Sequence, residues 1–169
     1  MPISQLLWVG ARKRVFSLMR TADQDITSGT SFVQDNQLGC YTEAGHTYSF
    51  EHVFGVGNEN QGFELKYTHS GTTTTFYANN MGSLHSVAGT FVDDNMQSWA
   101  VEAINTVVFT LNAKTITGLQ TTCHVMGVLI VGASGGIFVP EFRATTTSSP
   151  FGELRMYSGS TLRIIDWTP

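Results

Sequence analysis

The sequence predicts an all-β chain: an antiparallel two-sheet sandwich of jelly-roll type, entered through an N-terminal arm. Three observations carry this expectation. Short segments alternate apolar and polar side chains at a period of two, the spacing that lays one face of a strand on a core. Glycine, asparagine, aspartate and serine clusters separate these segments at short intervals, and no stretch sustains a helical period. Charged residues make up only 13% of the 169 positions, while 22 Thr and 14 Ser supply much of the polarity. Threonine, valine and the aromatics fit a pleated, half-buried surface better than a solvated helix. A chain of this length buries a core without disulfide staples.

Residues 1–20 read as an arm running into a first strand, and residues 21–169 as the sandwich. In the arm, Ile3, Leu6, Leu7, Trp8 and Val9 are apolar, and Val15, Ser17 and Met19 then alternate with Phe16, Leu18 and Arg20. Thr21 to Asp25 is a polar turn, followed by short β candidates at Ile26, Phe32-Val33 and Leu38 to Tyr41. Glu43-Ala44-Gly45-His46 is a turn. The clearest strand follows, with Tyr48, Phe50, His52, Phe54 and Val56 on one face. Gly55 to Gly62 reads as a loop. Phe63, Leu65 and Tyr67 share a face in the next strand, and a threonine turn leads to Phe76-Tyr77. Residues 78–95 read as irregular because of Asn79-Asn80, Gly82, Gly89 and Asp93-Asp94-Asn95. Trp99, Val101, Ala103 and Asn105 alternate with Ala100, Glu102 and Ile104, and Val107 to Leu111 continues as a strand.

Val125 to Val131 is an unbroken apolar run, expected as a central strand buried on both faces. A glycine turn, Gly132 to Gly136, leads to Ile137-Phe138-Val139, where Pro140 predicts an edge or an end because it cannot donate to a ladder. Leu154 and Met156 form a strand. Leu162 and Ile164 alternate with Arg163, Ile165 and Trp167 in the last one. About eight to ten strands with turn chemistry between them suit a two-sheet sandwich, and the number fits a jelly roll.

Charge is uneven along the chain. Arg12, Lys13, Arg14 and Arg20 precede the first acid, leaving 5 bases against 13 acids in the remainder. The basic stretch is either a solvated segment or an arm for an acidic partner surface. On the second view Trp8, Arg12, Lys13, Arg14 and Arg20 are its contact candidates. An acidic body argues against nucleic acid as a partner. The longest apolar run is far short of the ~20 residues a membrane span needs, and the early apolar stretch precedes its positive cluster, the reverse of a signal peptide. Cys40 and Cys123 sit in apolar β-like runs and read as buried free thiols.

Catalytic patterns are sparse. The five histidines, His46, His52, His69, His85 and His124, form no metal-binding spacing. Glu51 and His52 are strand neighbours and point to opposite faces. A cupin-like metal site would need His46, His52 and His124 to converge, and Asp93-Asp94-Asn95 lacks the spacing of a calcium loop. Gly55-Val56-Gly57 and Gly132 to Gly136 lack the lysine and the following helix of a phosphate loop. Neither a cofactor nor a metal is expected. Aromatic residues are the positive signal. Trp99, Phe138, Phe142, Phe151 and Trp167, with Trp8, exceed what one thin core needs, so some are expected at contacts with identical subunits.

The run Ala22-Asp23-Gln24, the polar Thr27 to Gln34, Asp35-Asn36-Gln37-Leu38, Glu43-Ala44-Gly45-His46-Thr47-Tyr48 and Phe50-Glu51 resembles a module of tailed-phage structural proteins. Gly159-Ser160-Thr161-Leu162-Arg163-Ile164-Ile165 is similar to the ending of that module, and Gly127 to Gly132 with Gly135-Gly136-Ile137 sits where it carries a paired strand. Residues 57–120 depart from the pattern. The resemblance implies a jelly-roll virion protein without catalytic residues: a capsid cement or decoration protein, a head fibre or a tail-associated module. The implied partners are the major capsid protein and further copies of the chain, as a homotrimer or homodimer, with the virion as location and assembly in a host cytoplasm. The alternative is a tail-fibre module that attaches to host glycans, with Tyr77, Asn79 and Asn80 as contact candidates.

Overall fold

Alternation becomes architecture through hydrogen-bonded ladders. A computed structural model describes residues 13–26, 31–58, 62–87, 90–92, 97–98, 100–111, 120–145 and 154–168. In chain order its strands are β1 (Arg14–Met19), β2 (Gln24–Ile26), β3 (Val33–Gln34), β4 (Cys40–Thr42), β5 (Thr47–Asn58), β6 (Phe63–His69), β7 (Thr73–Val87) and β8 (Thr90–Val92), then β9 (Gln97–Ser98), β10 (Ala100–Val101), β11 (Val107–Leu111), β12 (Gln120–Val131), β13 (Gly136–Ala144), β14 (Leu154–Met156) and β15 (Thr161–Asp166). There is no helix among the described residues.

The strands form two antiparallel sheets. The larger follows the order β1-β15-β5-β12-β7-β10, with β14 joining β2 to β5 and β8 hairpinned on β7. The smaller follows β3-β13-β6-β11-β9, with β4 also paired to β13. The inward faces meet in one core. From the larger sheet come Tyr48, Phe50, Phe54, Val56, Phe76, Cys123, Val125, Leu129, Leu162 and Ile164, and from the smaller Phe63, Leu65, Tyr67, Phe138 and Phe142. These are the alternate positions of their strands, so the expected sandwich is the architecture observed. Its strand order is consistent with jelly-roll winding.

Gly127 marks a tight point of the core. A Cβ there would lie 2.3 Å from the Tyr77 carbonyl oxygen and 2.4 Å from the Phe50 ring. The missing side chain lets Phe50 cross β12 and pack on Phe76, Phe138 and Tyr67 at centroid distances of 4.9–5.9 Å. Gly127→Ala therefore loses about 1–3 kcal/mol of stability through overpacking. Urea denaturation checks this, and an unchanged midpoint would show that the ring can move aside.

Several expectations change in three dimensions. The stretch expected to be irregular is mostly strand: β7 runs to Val87 because β12 pairs along its length, and a bulge between the Asn80 and Gly82 pairings absorbs the irregularity. Among the described residues of the alternation from Trp99 to Asn105, only Ala100 and Val101 form strand, as β10. Asn105 then takes a left-handed φ of 67° and its N–H donates to the Tyr67 carbonyl at 3.0 Å. β5 continues through Gly55 and Gly57 as far as Asn58, and Tyr157 lies over those glycines.

Pro140 lies inside β13 rather than at its end. β13 is flanked by β6 on one side and by β4 and β3 in succession on the other. The Pro140 carbonyl accepts from the Asp35 N–H, so its nitrogen faces the same side, in the gap between β4 and β3 where no ladder donor is required. Val125 to Val131 is central but not buried on both sides. Val125, Leu129 and Val131 are buried, whereas Met126 and Val128 face outward and are exposed.

Candidate interaction surface

Each sheet has an outward face, and the two faces differ in chemistry. On the smaller sheet, cross-strand ion pairs cover the surface. Lys66 meets Glu141 at 3.1 Å and Arg143 meets Glu64 at 2.6 Å, with both cations over the Phe32 ring. Glu141 also accepts from Gln34 and Thr68. Tyr41 and Ile137, paired across β4 and β13, and Val33 on β3 are the exposed apolar residues of this sheet.

The larger sheet turns apolar groups outward. Its outward positions fall into cross-strand rows set by the ladder registers. One row runs Val15, Ile165, Ser49, Val128, Tyr77, and the next runs Ser17, Arg163, Glu51, Met126, Asn79. Val15 (51%), Met19 (60%), Tyr77 (40%), Met126 (42%), Val128 (36%) and Trp167 (48%) are all exposed on this side. Trp167 lies flat enough for Lys13 Nζ to sit 3.7 Å from its ring centroid while its indole N–H donates to Ser49 Oγ. Glu51 and His124, on neighbouring strands, pair at 2.9 Å in the middle of the face. Exposed apolar side chains gathered on one sheet face mark a candidate contact surface.

The residues expected at contacts are thus divided. Lys13 and Trp167 lie together on the outer face, and Tyr77 and Asn79 share it two residues apart on β7. Arg14 pairs with Glu43. Trp8, Arg12, Trp99 and Phe151 lie outside the described residues, as does the Asp93 to Asn95 loop. For Asn80 only the backbone register is described. Phe138 and Phe142 are corrected: they are 1% and 0% exposed, stacked in the core on Tyr67 and Phe63, because β13 is an interior strand whose even positions point inward.

Arg20 is the larger correction. It is 1% exposed and its guanidinium pairs with Asp35, itself 4% exposed. It also donates to Gln24 Oε1 at 2.8 Å and the Ala22 carbonyl at 3.3 Å. Asp35 Oδ1 accepts the N–H groups of Gln37 and Leu38 at 2.8 and 2.9 Å, so the acid both closes a turn and binds the cation. The backbone of Arg20 is clipped to the β14–β15 turn through Gly159 N–H and Ser160 C=O, each at 2.8 Å. Asp23 accepts the Ser158 N–H at 2.7 Å, and that backbone hydrogen bond holds its carboxyl below the usual carboxylate range. The ends of the chain segment singled out in the sequence therefore meet around Arg20. The missed residue was Asp35, and its local signal was the Asp-x-x-Leu spacing of a side-chain-closed turn.

The histidines do not converge. His52 faces the core, where Nδ1 lies 2.9 Å from the Tyr67 hydroxyl. His124 is on the outer face. His46 bonds Asp166 at 2.9 Å near the end of β15. Burial raises the Asp166 carboxyl, but the bonds from His46 and the Thr168 N–H outweigh it and leave the group below its ordinary value. Among the described residues no cluster of three or more His, Cys, Asp or Glu could hold a metal. Cys40 and Cys123 are free and buried, and burial pushes both thiols up, away from the reactive thiolate. No helix among the described residues is long and apolar enough to cross a membrane.

These features define an antiparallel β-sandwich whose outer faces differ, one laced with cross-strand ion pairs and the other richer in exposed apolar side chains. No protein family and no curated protein matches the sequence. Among solved structures the chain is similar to the VP2 subviral particle of infectious bursal disease virus, at 14% identity and a TM-score of 0.26, covering 94% of this chain and 42% of that one. It is similar to structures of the Gx and Gt strains of the same virus, each at 14% identity and a TM-score of 0.25, covering 92% of this chain and 39% of the other. The chain spans less than half the length of these structures.

Proposed function

We propose that this chain is a structural component of a virus particle, and specifically a capsid cement or decoration protein that clamps neighbouring major capsid proteins. The observation that carries the reading is the apolar outer face of the larger sheet, which needs a protein neighbour to leave water. The resemblance of residues 22–51 and 159–165 to phage structural modules supports it from the sequence side. A clamp that binds only the assembled shell stabilises that shell by mass action. Its role is assembly rather than catalysis.

Copy number tests this directly. Quantitative mass spectrometry of purified particles finds the chain in large multiples, comparable to the shell protein. A handful of copies per particle would place it on the tail instead. The contact candidates Trp8 and Arg12 are tested by removing residues 1–12, a cut that spares β1 and the Arg20 pair. The shortened chain keeps its fold and binds particles more weakly. Equal decoration by the shortened chain would end the idea that the segment grips the shell.

A second reading, a glycan-binding tail-fibre module, is favoured by one observation: Tyr77 and Asn79 share an exposed face, an aromatic platform beside an amide. Binding to a glycan array that is lost in Tyr77→Ala would support it.

A further inference from the structure

We propose that the apolar face of the larger sheet is covered by a second copy of this chain, related by a two-fold axis parallel to the strands. The inference rests on the assembly reading above and adds the partner and its orientation. Six strands at about 4.8 Å spacing and residue rows spanning about 20 Å make a footprint of roughly 500 Å². As corrugated accessible surface this approaches the ~800 Å² per partner of a standard stable interface.

Charge selects a copy of the same chain and fixes the axis. One edge of the face, at β1, carries Lys13 over Trp167. The other edge, at β10, carries Glu102, exposed and next to the buried Val101, so that alternation turns it outward. Val101 pairs with Ala78, which places Glu102 opposite Tyr77, in the same row as Val15. The face is therefore positive at one edge and negative at the other, with Lys13 one outward row, about 7 Å, along the strand from the Val15–Glu102 row and within reach of its long side chain. Rotation by half a turn about an axis along the strands lays β1 of one copy over β10 of the other. Each Lys13 then meets a partner Glu102, twice by symmetry. The same operation sets Ile165 on Tyr77 and Arg163 on Asn79. Rotation about an axis across the strands would instead oppose Lys13 to Lys13. Aligned stacking of two sheets about 10 Å apart is the ordinary packing this produces.

Sedimentation of the full chain over a concentration series tests the proposal. The parent chain forms a dimer. Val128→Arg, a surface change that leaves the thermal transition in place, raises the dissociation constant at least ~100-fold, because it buries an unpaired charge at the centre. Met126→Glu does the same, should the first variant fold poorly. Lys13→Glu and Glu102→Lys each weaken the dimer about 10-fold, and the double variant returns to within about 3-fold of the parent. A parent chain that stays monomeric, a Val128→Arg dimer of undiminished affinity, or a charge swap without recovery would each overturn the proposal. A monomeric parent whose Val128→Arg variant drops off particles would give the face to a different protein, overturning self-association while leaving the virion reading intact.

Discussion

Arg20→Met lowers the unfolding free energy by about 3–5 kcal/mol, because it strands Asp35 as an unpaired charge in the interior. The cation lies just past β1 of the larger sheet, and Asp35 follows β3 of the smaller one, so their contact ties the sheets together at one end of the sandwich. Asp35 cannot move to water, since its Oδ1 closes the turn onto Gln37 and Leu38 and its own N–H is held by Pro140. Asp35→Asn keeps that turn acceptor and removes the charge. The double variant Arg20→Met with Asp35→Asn is therefore more stable than Arg20→Met alone. Chemical denaturation of the four proteins in the cycle measures the coupling. A coupling near zero would mean that the pair is screened and that the backbone bonds to Gly159 and Ser160 carry this junction.

Acid weakens the fold through His52. Its ring is fully buried between the sheets, and burial pulls its pKa from the ordinary 6.5 down to about 3. The charges of Arg20 and His124 act in the same direction, and Asp35 opposes them. Nδ1 meets the Tyr67 hydroxyl, while Nε2 has no hydrogen-bond partner among the described residues. The sign follows from proton counts. Between pH 6.5 and about 3 the unfolded chain holds a proton on this ring that the folded chain refuses. Stability contributed by the neutral ring is complete above pH 6.5 and falls with acid by about 1.4 kcal/mol per pH unit, reaching on the order of 4 kcal/mol near pH 3. Asp23 and Asp166, both held below their ordinary values, add their own loss as pH falls through the carboxylate range. His52→Gln isolates the histidine contribution: its stability against pH is flatter than the parent's between pH 6.5 and 4.5, above most carboxylate titration. Identical slopes in the two proteins would show that the ring accepts its proton without unfolding.

Both residues show where sequence reading succeeds and where it stops. The alternation of Phe50, His52 and Phe54 puts His52 on the inward face, because strand parity is a local property. Its bond to Tyr67 was not legible, since β5 and β6 belong to different sheets. Proximity in sequence links Arg20 to Arg12, Lys13 and Arg14. Yet β1 alternates too, and Arg20 falls on the parity of Phe16 and Leu18, the side that turns inward. Phe138 and Phe142 look like surplus aromatics in the sequence, because nothing local tells an interior strand of a second sheet from an exposed edge. The apolar run at Val125 to Val131 suggested two buried faces, but the fold covers only one, which leaves Met126 and Val128 on the candidate surface.

What the amino-acid order alone determined is therefore the set of strands with clean alternation and the side chains each turns inward: Tyr48 to Val56, Phe63 to Tyr67, and Leu162 with Ile164. That information lies in the two-residue repeat of an extended backbone and needs no partner. Only the tertiary structure decided which strands lie at the centre, which cation is buried, how far β7 extends and which outer face stays apolar. Those outcomes depend on pairings between residues tens of positions apart, such as Arg20 with Asp35 and β12 with β5 and β7, and no local pattern encodes a contact that exists only after the sheets close.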